Sequence, residues 1–498
     1  MQLGAAVRAA YRTYVSQSRD VLPFYLLGTA VPMVARTLPL ITVAIGYLVL
    51  WQTGRIDTIT TLLADVGPIP IDQPTDVSLS TSQIEQLQAV LLIPEVTVPL
   101  AVAAFASLGV LITLNAAVSA GQLHGAYGGL RGRDGVRDAV DGTFRDTRTF
   151  IGLVVAEVMT YTGYVGVIGG LGLALTLASE VAGVLVGAVG VLGALVVVPA
   201  VRLVFAFASV AVVVDNVGVF GALRNTLGYA RRRPGAVLGY GGLAVTAFVV
   251  VGVVSSVLAV IGGATAGPLV LILGLWPLLD LCKLAVYADV PQETSHPGSV
   301  RRHIRRGLAT GWQALLGFTT DRWRYVFVAG VVFGGAVGLG WVAGGTMTGV
   351  FTASIEQRLE GTTPPGQFVR YAANNWQVAA AQSFAGLGLG VPAILSLGFN
   401  GAFLGALFQL EVAPAVLLAF VVPHGLVEIP GLLISGGVGL HLGVIAWHYA
   451  TGTASRGRLA GEIETAYRVL LGLFVLFVIA AAIEAVVSPY YWRLLPFL

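Results

Sequence analysis

The sequence predicts an all-α protein that crosses a membrane about eleven times, and three observations support this fold class. Hydrophobic residues make up 56% of the 498 residues and charged residues only 11%, whereas a soluble domain carries about 25% charged residues. Apolar runs of about eighteen residues or more recur along the chain, and each is long enough to cross roughly 30 Å of hydrocarbon as a helix. The runs are continuous and do not alternate with a period of two, which favours helices over a β-barrel.

The first half of the chain is predicted to contain six spans, preceded by a short interfacial helix over residues 1–20. An acidic segment at 52–96 separates the first two spans, and arginine-rich segments separate later ones. The positive-inside rule places the arginine-rich segments in the cytoplasm. We therefore expect a multi-pass protein of the cell membrane with its N-terminus in the cytoplasm and the 52–96 loop outside. The predicted spans cover residues 21–51, 97–120, 150–178, 181–214, 237–261 and 267–290.

The second half is predicted to contain five spans with a less regular pattern. The surroundings of Asn400 and Pro423 are candidates for broken or re-entrant helices, because irregular backbone is tolerated at membrane depth where protein or water buries it. A long basic loop near residue 295 marks a domain boundary, which predicts a six-span domain over 1–295 and a five-span domain over 296–498. The five predicted spans cover residues 325–347, 376–397, 401–422, 429–448 and 466–487.

A candidate polar site lies in the second half, where His424 and Glu428 interrupt almost entirely apolar sequence. Their four-residue spacing puts them on one face if the segment is helical. An ionisable group at membrane depth costs about 2.5–3.5 kcal/mol on translocon scales, so such residues usually serve a purpose. Two interpretations stay open, a functional pair or a mutually satisfied structural pair. Glu484 in the last span completes a His/Glu/Glu set of metal-ligand type.

Glycines at four-residue spacing are a second recurring feature. This spacing lets helix backbones approach closely, so we expect these glycines to serve helix packing. The pairs in the second half include Gly386 and Gly390, Gly401 and Gly405, and Gly439 and Gly443.

Several motifs of the second half occur in the order found in a known family. They are Asn374-Asn375, Asn400-Gly401-Ala402-Phe403-Leu404-Gly405, Pro423-His424-Gly425-x-x-Glu428-x-Pro430, Gly436-Gly437-x-Gly439-Leu440, Ala482-Ile483-Glu484-Ala485 and Pro489. On these motifs the C-terminal half resembles the stage II sporulation protein M family of integral membrane proteins. The resemblance implies about five spans and a polar site shared by Asn375, Asn400, His424, Glu428 and Glu484. The first half is only weakly similar to uncharacterised prokaryotic six-span membrane domains.

Three functions follow as alternatives, in order of preference. The family resemblance implies a role like the one in spore formers, a membrane anchor for a peptidoglycan-degrading complex. The first alternative is therefore a non-enzymatic scaffold or assembly factor of the cell envelope. The second alternative is a transporter or channel with a path past Asn400, His424, Glu428 and Glu484. The third is an intramembrane metal-dependent hydrolase.

Cofactor and partner expectations are modest. No established hydrolase or ATPase signature is present, and the single Cys282 excludes a cysteine metal cluster. No cofactor is therefore predicted. The candidate metal ligands are His424, Glu428 and Glu484. The lipid bilayer and other membrane or envelope proteins are the expected partners, and a homo-oligomer is a further option. Topology accounts for the basic residues, so no nucleic-acid partner is predicted.

Overall fold

The computed structural model describes residues 2–64, 66, 68–71, 79–290, 299–359 and 363–491. The domain boundary predicted near residue 295 lies outside these residues. The described chain is helical nearly throughout, which confirms the all-α class. In the first half the helices are α1 (Leu3–Ser16), α2 (Ser18–Leu27), α3 (Ala30–Gln52), α4 (Arg55–Ala64), α5 (Thr81–Leu91), α6 (Pro94–Leu130), α7 (Gly135–Thr176), α8 (Glu180–Asp215), α9 (Val219–Arg232), α10 (Pro234–Val260), α11 (Gly267–Leu269) and α12 (Trp276–Ala288).

The second half continues the same architecture. Two π-helical segments occur among the described residues, at Val270–Leu275 and Ile483–Val487, and the second directly follows α19. A pair of two-residue strands, β1 (Ile69–Pro70) and β2 (Phe351–Thr352), forms a small parallel sheet. The helices are α13 (Val300–Asp321), α14 (Trp323–Gly345), α15 (Ile355–Leu359), α16 (Pro364–Ala385), α17 (Val391–Leu410), α18 (Pro414–Ala450), α19 (Arg456–Ala482) and α20 (Ser488–Tyr491).

Ten helical stretches of the described residues are long and apolar enough to cross a membrane, where eleven spans were predicted. The difference arises over residues 376–448, where three spans were predicted and the two candidates are α17 and α18. The span predicted over 376–397 is divided by a turn at residues 386–390, where Leu389 and Gly390 adopt positive φ values of 59° and 79°. The span predicted over 401–422 is divided between the end of α17 and the start of α18. The structure therefore confirms a polytopic helical membrane protein, and the ten candidate spans of the described residues agree with the prediction of about eleven.

Two of the predicted helix breaks were wrong. Asn400 lies inside α17, and Pro423 lies inside α18, which runs without interruption from Pro414 to Ala450. A proline in a helix leaves the carbonyl four residues earlier without its usual donor. The hydroxyl of Tyr491 donates to this carbonyl, that of Ala419, so the helix continues through Pro423 with its backbone satisfied.

The contacts divide the chain into two compact units. The first consists of residues 1–25, 112–251 and 272–300. Its long helices α7 and α8 pack against each other, and Arg202 of α8 bridges to Glu157 of α7 at 3.0 Å. A second ion pair joins Lys283 and Asp280 at 2.8 Å. Both pairs neutralise intramembrane charges locally.

The second unit consists of residues 26–111, 252–271 and 301–498. It includes all the motifs of the candidate polar site, and it also takes in α3, which packs against α16. Helix α16 is held between two neighbours. Trp376 Nε1 donates to the carbonyl of Leu470 in α19 at 2.8 Å, and Gln382 Nε2 donates to Ser435 Oγ in α18 at 2.9 Å. These bonds fix the three helices that carry the site.

Glycines set the closest helix crossings of the second unit. A Cβ atom added at Gly405 of α17 would lie 2.0 Å from the carbonyl oxygen of Val337 in α14, and one added at Gly386 would lie 1.9 Å from the carbonyl oxygen of Gly439. A Cβ atom added at Gly401, Gly439 or Gly443 would likewise lie 2.5–2.7 Å from a backbone atom of a neighbouring segment. At Gly390 the positive φ, rather than a close contact, is the constraint.

Candidate metal centre

Two helical segments bring a histidine and two glutamates together inside the second unit. Helix α18 contributes His424 and Glu428, and the π-helical segment after α19 contributes Glu484. One ligand atom from each of the three side chains lies within 4.8 Å of the others. We call this set the His–Glu–Glu cluster. The i, i+4 spacing places the first two on one face of α18, and the packing of α18 on the π segment supplies the third.

His424 is buried, and each of its ring nitrogens faces a polar side chain. Nδ1 lies 3.0 Å from Ser488 Oγ, and Nε2 lies 4.0 Å from Glu484 Oε1. The ring also packs edge-on against Phe420, with 5.2 Å between centroids. When Nδ1 donates to the serine, Nε2 carries the lone pair and faces the carboxylate, which is the usual orientation of a metal-binding histidine.

The two carboxylates are buried and only partly satisfied. The side chain of Asn375 in α16 hydrogen-bonds to Glu428, while Glu484 interacts electrostatically with Glu428 and Arg370. Among the described residues, Oε2 of Glu428 and Oε2 of Glu484 have no hydrogen-bond partner. Buried carboxylate oxygens without partners are expensive, and two adjacent negative charges repel. A bound cation or a bound proton would relieve this repulsion.

A small cavity of about 90 Å³ reaches Glu484 from one side. Four of its lining residues carry polar groups, namely Gln367, Tyr371, Glu484 and Tyr490, and the other four are apolar. We call it the Gln367 cavity. The lining residues are Leu359, Pro364, Gln367, Tyr371, Glu484, Ala485, Pro489 and Tyr490.

Four of the five residues proposed for the polar site lie close together in the structure, and the fifth, Asn400, bonds elsewhere. Asn375 reaches the cluster through its hydrogen bond to Glu428. Asn400 instead donates to the carbonyl of Ser396 at 2.8 Å within its own helix. Two residues of the site, Ser488 and Gln367, were missed, because neither a serine after a π turn nor a glutamine at a helix start carries a sequence signal.

A second polar cluster lies in the same unit, and its charged groups pair with one another, although His441 Nδ1 has no hydrogen-bond partner among the described residues. Arg322 donates to both carboxylate oxygens of Glu462, at 2.9 and 3.1 Å. His441 Nε2 lies 3.1 Å from the same carboxylate. The arginine thus neutralises the glutamate, and the contacts hold α18, α19 and the start of α14 together. This cluster serves packing.

The fold and the cluster define a class: a polytopic helical membrane protein with a buried His–Glu–Glu set. Residues 325–489 match the family model described as Stage II sporulation protein M. This match and the ten apolar helices of the described residues support an integral membrane protein. The matched segment contains Asn375 and all three residues of the His–Glu–Glu cluster. No curated protein and no solved structure matches the chain.

Proposed function

We propose that the C-terminal unit binds one divalent transition-metal ion through His424, Glu428 and Glu484, and that this ion is the functional centre of the protein. The observation that supports this most directly is the approach of the three ligand atoms to within 4.8 Å of one another. Ligand atoms around a tetrahedral ion at about 2.1 Å are about 3.4 Å apart, so side-chain movements of about one ångström close the set. One imidazole and two carboxylates suit zinc or a similar first-row ion.

Three protein ligands leave one coordination position for water or substrate, which is the arrangement of catalytic rather than structural metal sites. The Gln367 cavity borders Glu484, so one of the three proposed ligands is next to space that could hold a small molecule. The chemistry that such an ion supplies is polarisation of a carbonyl and activation of water. Among the three functions expected from the sequence, metal-dependent hydrolysis is therefore the one that the geometry supports best.

The scaffold role and the transport role make different demands on the same residues. A scaffold or assembly factor of the cell envelope uses its surfaces and loops and does not require a metal. A transporter requires His424 and Glu428 but binds its ion or proton reversibly during each cycle. Stoichiometric, tightly held metal therefore separates the hydrolase from both alternatives.

The experiment is elemental analysis of the detergent-purified protein without chelators. The variants Glu428→Gln and Glu484→Gln are compared with Glu464→Gln, which alters a partly exposed glutamate of α19 that pairs with Arg468 four residues away. His424→Ala is compared with His448→Ala, in the last turn of the same helix. Size-exclusion profiles establish that each variant is folded.

We expect about one metal ion per chain in the wild type and in both controls, and a loss of at least tenfold in each cluster variant. A wild-type protein without stoichiometric metal would overturn the proposal and return the scaffold role to first place. Metal retained in folded Glu428→Gln and Glu484→Gln proteins would overturn it as well, because the ion would then lie elsewhere.

A further inference from the structure

We propose that the Gln367 cavity binds the amide group of a substrate and that Gln367 is the residue that recognises it. This inference rests on the metal centre proposed above. Gln367 is 6% exposed and lines the cavity together with Glu484. Among the described residues, neither the oxygen nor the nitrogen of its side-chain amide has a hydrogen-bond partner.

Such a side chain is unusual, because a buried polar group without a partner costs stability. Helix α16 would fold equally well around an apolar residue of the same length at this position. A glutamine retained there at a cost to stability is typical of a binding residue. Its carboxamide presents one acceptor and one donor side by side. A primary amide complements both, because one N–H of its NH₂ group lies on the same side as its C=O.

The size and lining of the cavity agree with an amide ligand. A volume of about 90 Å³ corresponds to roughly three water molecules at about 30 Å³ each, or to one group of the size of acetamide. Pro364, Ala485 and Pro489 provide an apolar wall for a small substituent on the amide. No basic side chain occurs among the described lining residues, so the cavity lacks the groups that phosphate recognition requires.

Glu484 belongs both to the His–Glu–Glu cluster and to the cavity wall. An amide held by Gln367 would share the cavity with the Glu484 carboxylate, which would be one of the ligands of the ion. The reaction supported by this arrangement is amide hydrolysis. The oxygen of water bonds to the carbonyl carbon, the C–N bond breaks, and one proton of the water goes to the leaving nitrogen.

Acetohydroxamate is a suitable probe, because it carries a carbonyl, an N–H and a metal-binding hydroxyl in a molecule that fits the cavity. The protein is loaded with Co²⁺, whose visible absorption changes when a ligand enters the open coordination position. Three proteins are titrated: the wild type, Gln367→Met, and the control Gln357→Met, which alters an exposed glutamine of α15. Cobalt content and thermal unfolding are measured for each.

We expect saturable binding to the wild type and the control, and about tenfold weaker binding to Gln367→Met, as for the loss of a buried hydrogen bond. Its cobalt content should equal that of the wild type and its unfolding temperature should not fall. Gln367→Leu serves in its place if the methionine variant does not fold.

Equal affinity in the wild type and Gln367→Met, with unchanged cobalt content, would overturn this inference alone and would make Gln367 a residue that bonds only to water. A wild-type protein that holds no cobalt would overturn the metal centre first and this inference with it. Cobalt bound without any response to acetohydroxamate would leave the metal centre intact and exclude an open position next to the cavity.

Discussion

The Nε2 atom of His424 lies 4.0 Å from Oε1 of Glu484, although the two residues come from different helical segments. The π-helical segment Ile483–Val487 carries Glu484, and the residue that follows it is Ser488, which bonds to the other nitrogen of the same imidazole at 3.0 Å. One wide helical turn thus engages both nitrogens of His424. π-Helical turns of this kind are rare and occur frequently at functional sites.

Ser488→Ala should lower the affinity of the protein for its metal by about 10–100-fold, because the partner that orients a ligating imidazole contributes that much. The fold should survive, since only one hydroxyl is removed. Metal affinity is measured by competition with a chelator of known strength. Ser256→Ala is the control, because the Ser256 hydroxyl bonds only to the Gly252 carbonyl of its own helix. Equal affinities for the two variants would contradict the orienting role.

Gly405→Ala should destabilise the second unit by about 1–3 kcal/mol or prevent its folding, as overpacking of a close contact does. The new methyl group would lie 2.0 Å from the Val337 carbonyl oxygen, so α14 and α17 would have to separate. Gly398→Ala in the same helix meets nothing within 4 Å and should be neutral or slightly stabilising. Thermal unfolding in detergent measures both. A Gly405→Ala protein as stable as Gly398→Ala would contradict the close crossing.

Arg322→Met should destabilise the second unit by about 2–3 kcal/mol, because it leaves the largely buried Glu462 carboxylate without its main partner. The estimate lies below that for a fully buried pair, since the Arg322 side chain is 30% exposed. Arg468→Met is the control, because its partner Glu464 lies on the surface four residues away, and such pairs contribute about 0.3–0.5 kcal/mol. If the two variants unfold at the same temperature, the Arg322–Glu462–His441 cluster does not support the packing.

The predicted orientation can be tested by cysteine labelling. Gln88→Cys in the 52–96 loop should react with a membrane-impermeant maleimide in intact cells, whereas Gly461→Cys near the start of α19 should react only after permeabilisation. The native Cys282 is 2% exposed and should stay unlabelled, so the unaltered protein provides the background. Labelling of Gly461→Cys in intact cells would contradict the predicted topology, because it would place the start of α19 outside the cell.

The sequence predicted the fold class and part of the site for clear physical reasons. Apolar runs of membrane length can only become helices, and a four-residue spacing puts His424 and Glu428 on one face wherever α18 forms. Glu484 was recognisable as a carboxylate in an apolar run. The helix breaks near Asn400 and Pro423 were predicted wrongly, because local glycines and prolines do not reveal that the distant Tyr491 hydroxyl satisfies the Ala419 carbonyl.

The rest of the site depends on tertiary contacts that no local pattern encodes. Gln367 and Ser488 are ordinary residues until α16, α18 and the π segment pack together. Asn400 belongs to a recognisable motif, yet its amide bonds within α17. The sequence therefore showed which ionisable groups are costly, but not which uncharged residues accompany them.

The most direct test of the metal centre is the K-edge X-ray absorption spectrum of the purified protein at the edge of the metal it contains. We expect a first shell of nitrogen and oxygen at about 2.0–2.2 Å with the outer-shell signal of one imidazole. The imidazole signal should be lost from any metal that remains in His424→Ala and should persist in His448→Ala. A spectrum with no imidazole, or one that His424→Ala leaves unchanged, would contradict a metal site at His424, Glu428 and Glu484.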